Sequence, residues 1–334
     1  MRWNTIGLLL LGCSFGLLSP ALADESSSPA QIESVHKIWD QAPHNAFTDL
    51  VRFQDQWYCV FREGDGHVSD TGSLRVLRSS DGKAWESAAL ITADDSDLRD
   101  AKICVTPEGK LMLAGAGALH QPASAKHQTY VWYSDNGSNW SKAIAIGPPN
   151  YWIWRITWHD GAAYGVGYRT VKPRGAQLFK SDDGITFEAV GEHFAIDGYM
   201  NETGLIFHED GTAMCLIRRD GSPNDALLGT AEPPYTNWQW KSLGTYVGGP
   251  QLIQLQDGRY IVGGRSRDGG AKTAIWQLDP QKPELTKLAT LPSGGDTSYP
   301  GLVFHEGRLW VSYYSSHEGK TSIYLAKLKL PEQK

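Results

Sequence analysis

Glu202 lies eight residues before an Asp210-Gly211 pair, and Tyr299 lies seven before Glu306-Gly307. Each therefore holds a matching place ahead of a tight turn. Other segments share that phase: Thr48-Asp49, Arg99-Asp100, Trp154-Arg155 and Gly249-Pro250. The chain leaving these turns carries a second set, Arg62, Arg169, Arg218 with Arg219, Arg265 with Arg267, and Tyr313. If the segments surround one axis, these acids, the tyrosine and the arginines converge. A pocket rich in Arg with paired acids suits an anionic or highly hydroxylated ligand. Trp154 shares a strand face with Trp152 and Trp158 and is the one placed to stack on a sugar.

The elements that position them recur. An apolar run, an acidic turn and another apolar run appear six times, with Asp55, Glu108, Asp160, Asp210, Asp257 and Glu306 in the turns. Their spacings are 53, 52, 50, 47 and 49 residues. A period near 50 with hairpin chemistry predicts an all-β, six-bladed β-propeller in which each innermost strand lines a central cavity. Ser34–Trp39 alternates like a strand and is expected beside Ser322–Leu328. That pairing would share one blade between the termini and remove the open edge. No long amphipathic helix is evident.

The chain has 334 residues, 41% of them hydrophobic, ample for one large core. The expected organisation is a leader over 1–23, a polar disordered stretch over 24–32 and the propeller over 33–330. Residues 1–23 read as a secretory signal: Arg2, an apolar run from Ile6 to Leu18, then Ala21-Leu22-Ala23. Export to the periplasm or medium follows. The rival reading is a lipoprotein anchored at Cys13, from Leu10-Leu11-Gly12-Cys13. No second segment is long enough to span a membrane. The net charge of −6 argues against a nucleic-acid partner. Cys59, Cys104 and Cys215 sit in apolar runs and are expected as buried free thiols. No zinc spacing or calcium loop is visible, and no cofactor or metal is expected. A monomer is expected.

Three segments share Ser-x-Asp/Asn-Gly-x-x-aromatic: residues 79–85, 134–140 and 181–187, with a degraded copy at 234–238. Asp81, Asn136 and Asp183 should bond the local backbone while glycine supplies a positive φ. This pattern resembles the Asp box of the sialidase superfamily. Asn201-Glu202 through Asp210-Gly211 to Arg218 resembles the sialidase run in which a catalytic Glu precedes a turn and an Arg. Asp296–Leu302 resembles the last-blade motif that carries a nucleophilic Tyr. Gly249-Pro250, Asp257-Gly258 and Arg265 resemble the blade supplying another Arg.

The resemblance implies an exported glycoside hydrolase with Tyr299 as nucleophile and Glu202 as its base. Arg218 and Arg265 would clamp a carboxylate. A neutral phenol escapes the repulsion between a substrate carboxylate and a carboxylate nucleophile. The sialidase first blade carries Arg-Ile-Pro, whereas this chain reads Ala46-Phe47-Thr48-Asp49, so one clamp Arg is missing. Arg155 or Arg62 is expected to replace it. The family acid position falls on Ser73. Asp49, ranked first for its phase, Asp100 or Asp70 is expected to supply the acid; Asp100 otherwise contacts substrate, as Trp154 does. The substrate class expected is an acidic glycan of sialic or uronic type. A non-catalytic glycan-binding propeller and a uronate lyase remain as alternatives.

Overall fold

The computed structural model describes Met1 and residues 29–121 and 125–332. The expected leader, with Cys13, lies outside them. Within the described residues, 24 strands form six four-stranded antiparallel sheets, and no helix occurs. The innermost strands are His44–Phe53, Ser96–Val105, Tyr151–His159, Tyr199–Phe207, Gly248–Gln254 and Thr297–His305. Each touches its neighbours around a common axis. This is the six-bladed propeller expected from the repeat.

The sixth blade is completed by Gln31–Trp39, which pairs antiparallel with Ser322–Lys329. That strand begins at Gln31, and the Ala30 amide donates to Leu288 O at 2.9 Å. The chain is thus ordered before the expected boundary at residue 33, because Gln31 and Ile32 find ladder partners in Lys329 and Leu328. Across the closure Trp57 of the first blade packs on Trp310 of the sixth, with ring centroids 4.7 Å apart.

The acidic turns close the inner hairpins in two ways. Gln54-Asp55, Asp160-Gly161 and Glu306-Gly307 have positive φ at both residues and form two-residue loops. The other three turns are longer, with Gly109, Gly211 and Gly258 in the left-handed region and bonded back to Thr106, His208 and Leu255. On the outside, Asp81 Oδ1 accepts the amides of Lys83 and Ala84, and Asn136 and Asp183 repeat the pattern. Trp85 and Trp140 donate their Nε1 hydrogens to Gly82 O and Gly137 O. Tyr58 and Tyr133 then donate to Asn136 O and Gly184 O of the following blade. These turns stitch the rim. Buried apolar clusters fill the spaces between blades. Cys59 and Cys215 are buried and Cys104 half-buried, all as free thiols whose ionisation burial opposes.

Candidate active site

Every innermost strand carries a bulge at the same depth. Two residues face one partner: Phe47-Thr48, Asp100-Ala101, Trp154-Arg155, Asn201-Glu202, Gly249-Pro250 and Tyr299-Pro300. A bulge re-aims its side chains and ends regular pairing, which is why bulges gather at functional sites. Four of the first bulge residues, Phe47, Asp100, Gly249 and Tyr299, have φ between 51° and 64°. Three of these are not glycine, so the backbone holds them in a costly conformation. Gly249 has a further reason to lack a side chain: a Cβ there would lie 2.6 Å from the Tyr299 ring.

The bulges bring Tyr299, Glu202 and Arg218 together. The Tyr299 hydroxyl donates to Glu202 Oε1 at 2.5 Å and accepts from Arg218 Nη1 at 2.9 Å. Arg218 Nη1 also donates to Glu202 Oε2 at 2.6 Å, and the Gly249 amide donates to the same oxygen at 2.9 Å. Arg218 Nη2 is occupied by Asp220 at 2.8 Å. The phenol is buried, and burial with the adjacent Glu202 charge holds its pKa well above the usual value, while Arg218 and Arg265 oppose them. Its proton therefore has one evident destination, Glu202 Oε1. The remaining hydroxyl lone pair is available to an electrophile.

Arg265 flanks this group, its guanidinium carbon 5.3 Å from the Tyr299 ring centre. Its Nε donates to Thr297 O and its Nη2 to the Tyr314 hydroxyl. Its Nη1 has no protein partner among the described residues. Phe47 stands edge-on to Tyr299 at 5.1 Å and to Tyr314 at 5.4 Å. An aromatic ring thus occupies the first-blade place where the resemblance calls for Arg.

Asp100 is buried on its bulge. Burial pushes its carboxyl up to about 7; Lys102 opposes this, Glu202 reinforces it, and Arg99 and His67 oppose it more weakly. Lys102, also buried, donates to Thr48 O and Ala101 O and lies 4.6 Å from the Trp154 ring centre. Burial and Arg155 lower its pKa.

Several expected residues lie elsewhere. Asp49 is 1% exposed, and its carboxylate accepts the amides of Leu50 and Ile103 and Arg155 Nη1 at 2.6 Å. It ties the first blade to the second and third, with both oxygens engaged, so its first rank as acid is corrected. Arg155 is tied to it and cannot replace the missing clamp. Arg62 is fully buried, bonded to Asp97, Gly66 O and Ser69, and holds the 64–72 loop instead of a ligand. Trp154 is buried beneath Tyr299, its ring 5.6 Å away, and offers no face to a sugar. Tyr313 points to the opposite face, donating to Pro292 O, and its neighbour Tyr314 takes the cavity side.

Sequence reasoning missed Phe47, Lys102, Asp220, Asp296 and Tyr314. Asp296 and Tyr314 carried a signal, lying three before Tyr299 and next to Tyr313. The axial channel beneath the site is a separate cavity of about 270 Å³, lined by Ile103, Val105, Thr157, Leu205, Gln251 and Ile253 with Lys102 and Arg155 at its edge. Its lining includes none of Tyr299, Glu202 or Asp100.

No protein-family model matches the chain, and no curated protein matches it in sequence. In fold it is similar to a protein of unknown function from Dyadobacter fermentans, with TM-score 0.80 and 18% identity over 90% of this chain and 99% of that one. It is similar to the GH93 alpha-L-arabinofuranosidase of Fusarium graminearum solved with arabinobiose, with TM-score 0.70 and 12% identity over 89% and 98% of the two chains. It is also similar to Trypanosoma rangeli sialidase, with TM-score 0.69 and 12% identity over 91% of this chain and 57% of that one. The chain thus spans little more than half of the sialidase. At these identities the fold is what is shared: a sialidase-like six-bladed propeller, of a kind that glycoside hydrolases use.

Proposed function

We propose that the protein is a glycoside hydrolase in which Tyr299 attacks the anomeric carbon. The observation that carries this reading is the 2.5 Å hydrogen bond from the Tyr299 hydroxyl to Glu202, with Arg218 bridging both. As the oxygen attacks, its proton passes to Glu202 Oε1, and Arg218 stabilises the charge that develops on the phenolic oxygen. Asp100, protonated through its raised pKa, gives its proton to the leaving oxygen. Its conjugate base then takes a proton from the water that cleaves the Tyr299–glycosyl bond, which restores Asp100, and Glu202 returns its own proton to the departing Tyr299 oxygen.

The substrate proposed is a glycan with an acidic terminal sugar, held through the unpartnered Nη1 of Arg265. Both Nη groups of Arg218 are held by Glu202, Tyr299 and Asp220, so the clamp is smaller than the three-Arg pattern. A second reading, a neutral sugar, is favoured by Phe47, which puts no charge at the first-blade position, and is in line with the arabinofuranosidase neighbour. We also propose export after cleavage of residues 1–23; the amino terminus of the mature protein tests it.

The substrate reading is tested by incubating purified protein with sialosides, uronic-acid glycans and arabinosides, beside Tyr299→Phe and Arg265→Ala. Turnover of an acidic glycan lost in both variants supports it. Turnover of an arabinoside that Arg265→Ala retains selects the neutral sugar. An unsaturated, ultraviolet-absorbing product would indicate a lyase. Retention without turnover would leave a binding module.

A further inference from the structure

Beside Phe47, three potential ligands meet that take no step in the proposed chemistry. Asp296 Oδ2 faces His44 Nε2 at 2.9 Å and His67 Nδ1 at 2.7 Å, and all three atoms lie within 4.8 Å of one another. They come from three places in the sequence: the start of the first innermost strand, the 64–72 loop, and the residue before the sixth innermost strand. We propose that His44, His67 and Asp296 form a binding site for a first-row divalent cation, Zn²⁺ above all.

The donor set is two imidazoles and one carboxylate, which suits Zn²⁺ and disfavours Mg²⁺ or Ca²⁺. Ligands of a tetrahedral zinc, at about 2.0–2.1 Å from the metal, stand roughly 3.3 Å apart. The two nitrogen–oxygen separations here are a few tenths of an ångström shorter, so a small outward movement admits the ion. His44 is nearly buried and fixed, whereas His67 is 53% exposed and free to adjust. Two nitrogens directed at a single carboxylate oxygen are an economical arrangement around a shared cation. For hydrogen bonding alone, a carboxylate with two oxygens could have been divided between them.

The surroundings support the carboxylate. Asp296 Oδ1 accepts from the Tyr314 hydroxyl at 2.9 Å, which orients the group and leaves Oδ2 to the histidines. Arg265 Nη2 lies 3.6 Å from Oδ1, on the side away from the histidines. His44 Nδ1 is buried without a partner among the described residues. Phe47 separates the cluster from Tyr299, its ring 5.1 Å from each of His67 and Tyr299. A cation there would place positive charge near the pocket position that lacks an Arg. This last consequence rests on the hydrolase reading, and the site itself does not.

The test uses tag-free, chelator-treated full chain and the metals alone. Calorimetric titration with Zn²⁺ should give one site per chain, with Mg²⁺ and Ca²⁺ failing to compete. Co²⁺ should give the visible absorption of a low-symmetry nitrogen–oxygen site. His67→Ala, a change on an exposed loop, should weaken Zn²⁺ binding by about 100-fold, and Asp296→Asn should do the same. Absence of saturable Zn²⁺ binding, or binding unchanged in both variants, overturns the proposal and leaves a hydrogen-bonded cluster. Because no glycan is present, these outcomes are independent of whether the protein is a hydrolase.

Discussion

Tyr299 and Glu202 stand 97 residues apart in sequence and two blades apart in the ring, yet the phenol donates to the carboxylate across 2.5 Å. Both sit on bulges of innermost strands, and the Gly249 bulge between them supplies the amide that holds the other Glu202 oxygen. The pair is therefore a product of the ring and of its local irregularities together.

Replacing Tyr299 with Phe removes one oxygen and preserves the ring that packs on Phe47 and Trp154. Turnover should fall by at least about 1,000-fold, because the residue acts with Glu202 as a unit. Glu202→Gln should fall by about 100-fold or more through loss of the base. Circular dichroism of both variants should match the parent. A variant of either kind with undiminished kcat/KM would remove that residue from the chemistry.

Gly249→Ala tests positioning without touching a reactive atom. The added methyl meets the Tyr299 ring at 2.6 Å, on a backbone with φ of 57°. The ring must move, and a shift of about 1 Å should cost roughly 100-fold in kcat. Steady-state kinetics should show the loss mainly in kcat.

Asp100 gives two pH signatures. As an acid raised to about 7, it must be protonated to act, so kcat/KM should decline as pH rises through about 7. Asp100→Asn should abolish that limb and retain more activity on glycosides with good leaving groups. Stability follows the same sign. The folded pKa exceeds the ordinary 3.8, so the folded protein holds a proton that the unfolded chain has released. The contribution is full below about pH 4 and is lost as pH rises through about 7. Urea midpoints measured at pH 5 and pH 8 should show a drop in the parent that shrinks in Asp100→Asn.

Arg62→Ala separates a structural from a ligand-binding arginine. Arg62 is bonded to Asp97 in the interior, and Arg99 also pairs with Asp97. Removing it should destabilise by about 3 kcal/mol, the lower part of the range for breaking a buried pair, because Arg99 remains. Chemical denaturation measures this. KM for any substrate should stay unchanged where the variant is folded.

The period of the acidic turns made the fold legible, and the residue types at one phase made Tyr299, Glu202, Arg218 and Arg265 legible. The errors have one origin. Inner hairpins use turns of two lengths, so the first bulge residue falls six residues before Asp160 but nine before Asp210. Each bulge then inserts a residue, and a slip of one flips a side chain to the other face. That is why Asp49 was favoured over Asp100 and Tyr313 over Tyr314. Arg62 and Arg155 were misread for another reason: composition places an Arg near the axis but does not show that Asp97 or Asp49 already pairs with it. The His44–His67–Asp296 cluster joins segments 252 and 229 residues apart and leaves no local spacing to read.

The most direct test of the central claim is to identify the residue that becomes glycosylated. The protein would be incubated with an activated fluoroglycoside of the sugar that it turns over, then digested and mapped by mass spectrometry. One glycosyl adduct on the peptide containing Tyr299, localised to its oxygen and absent from Tyr299→Phe, is the expected result. An adduct on a carboxylate, or full turnover by Tyr299→Phe, would contradict it.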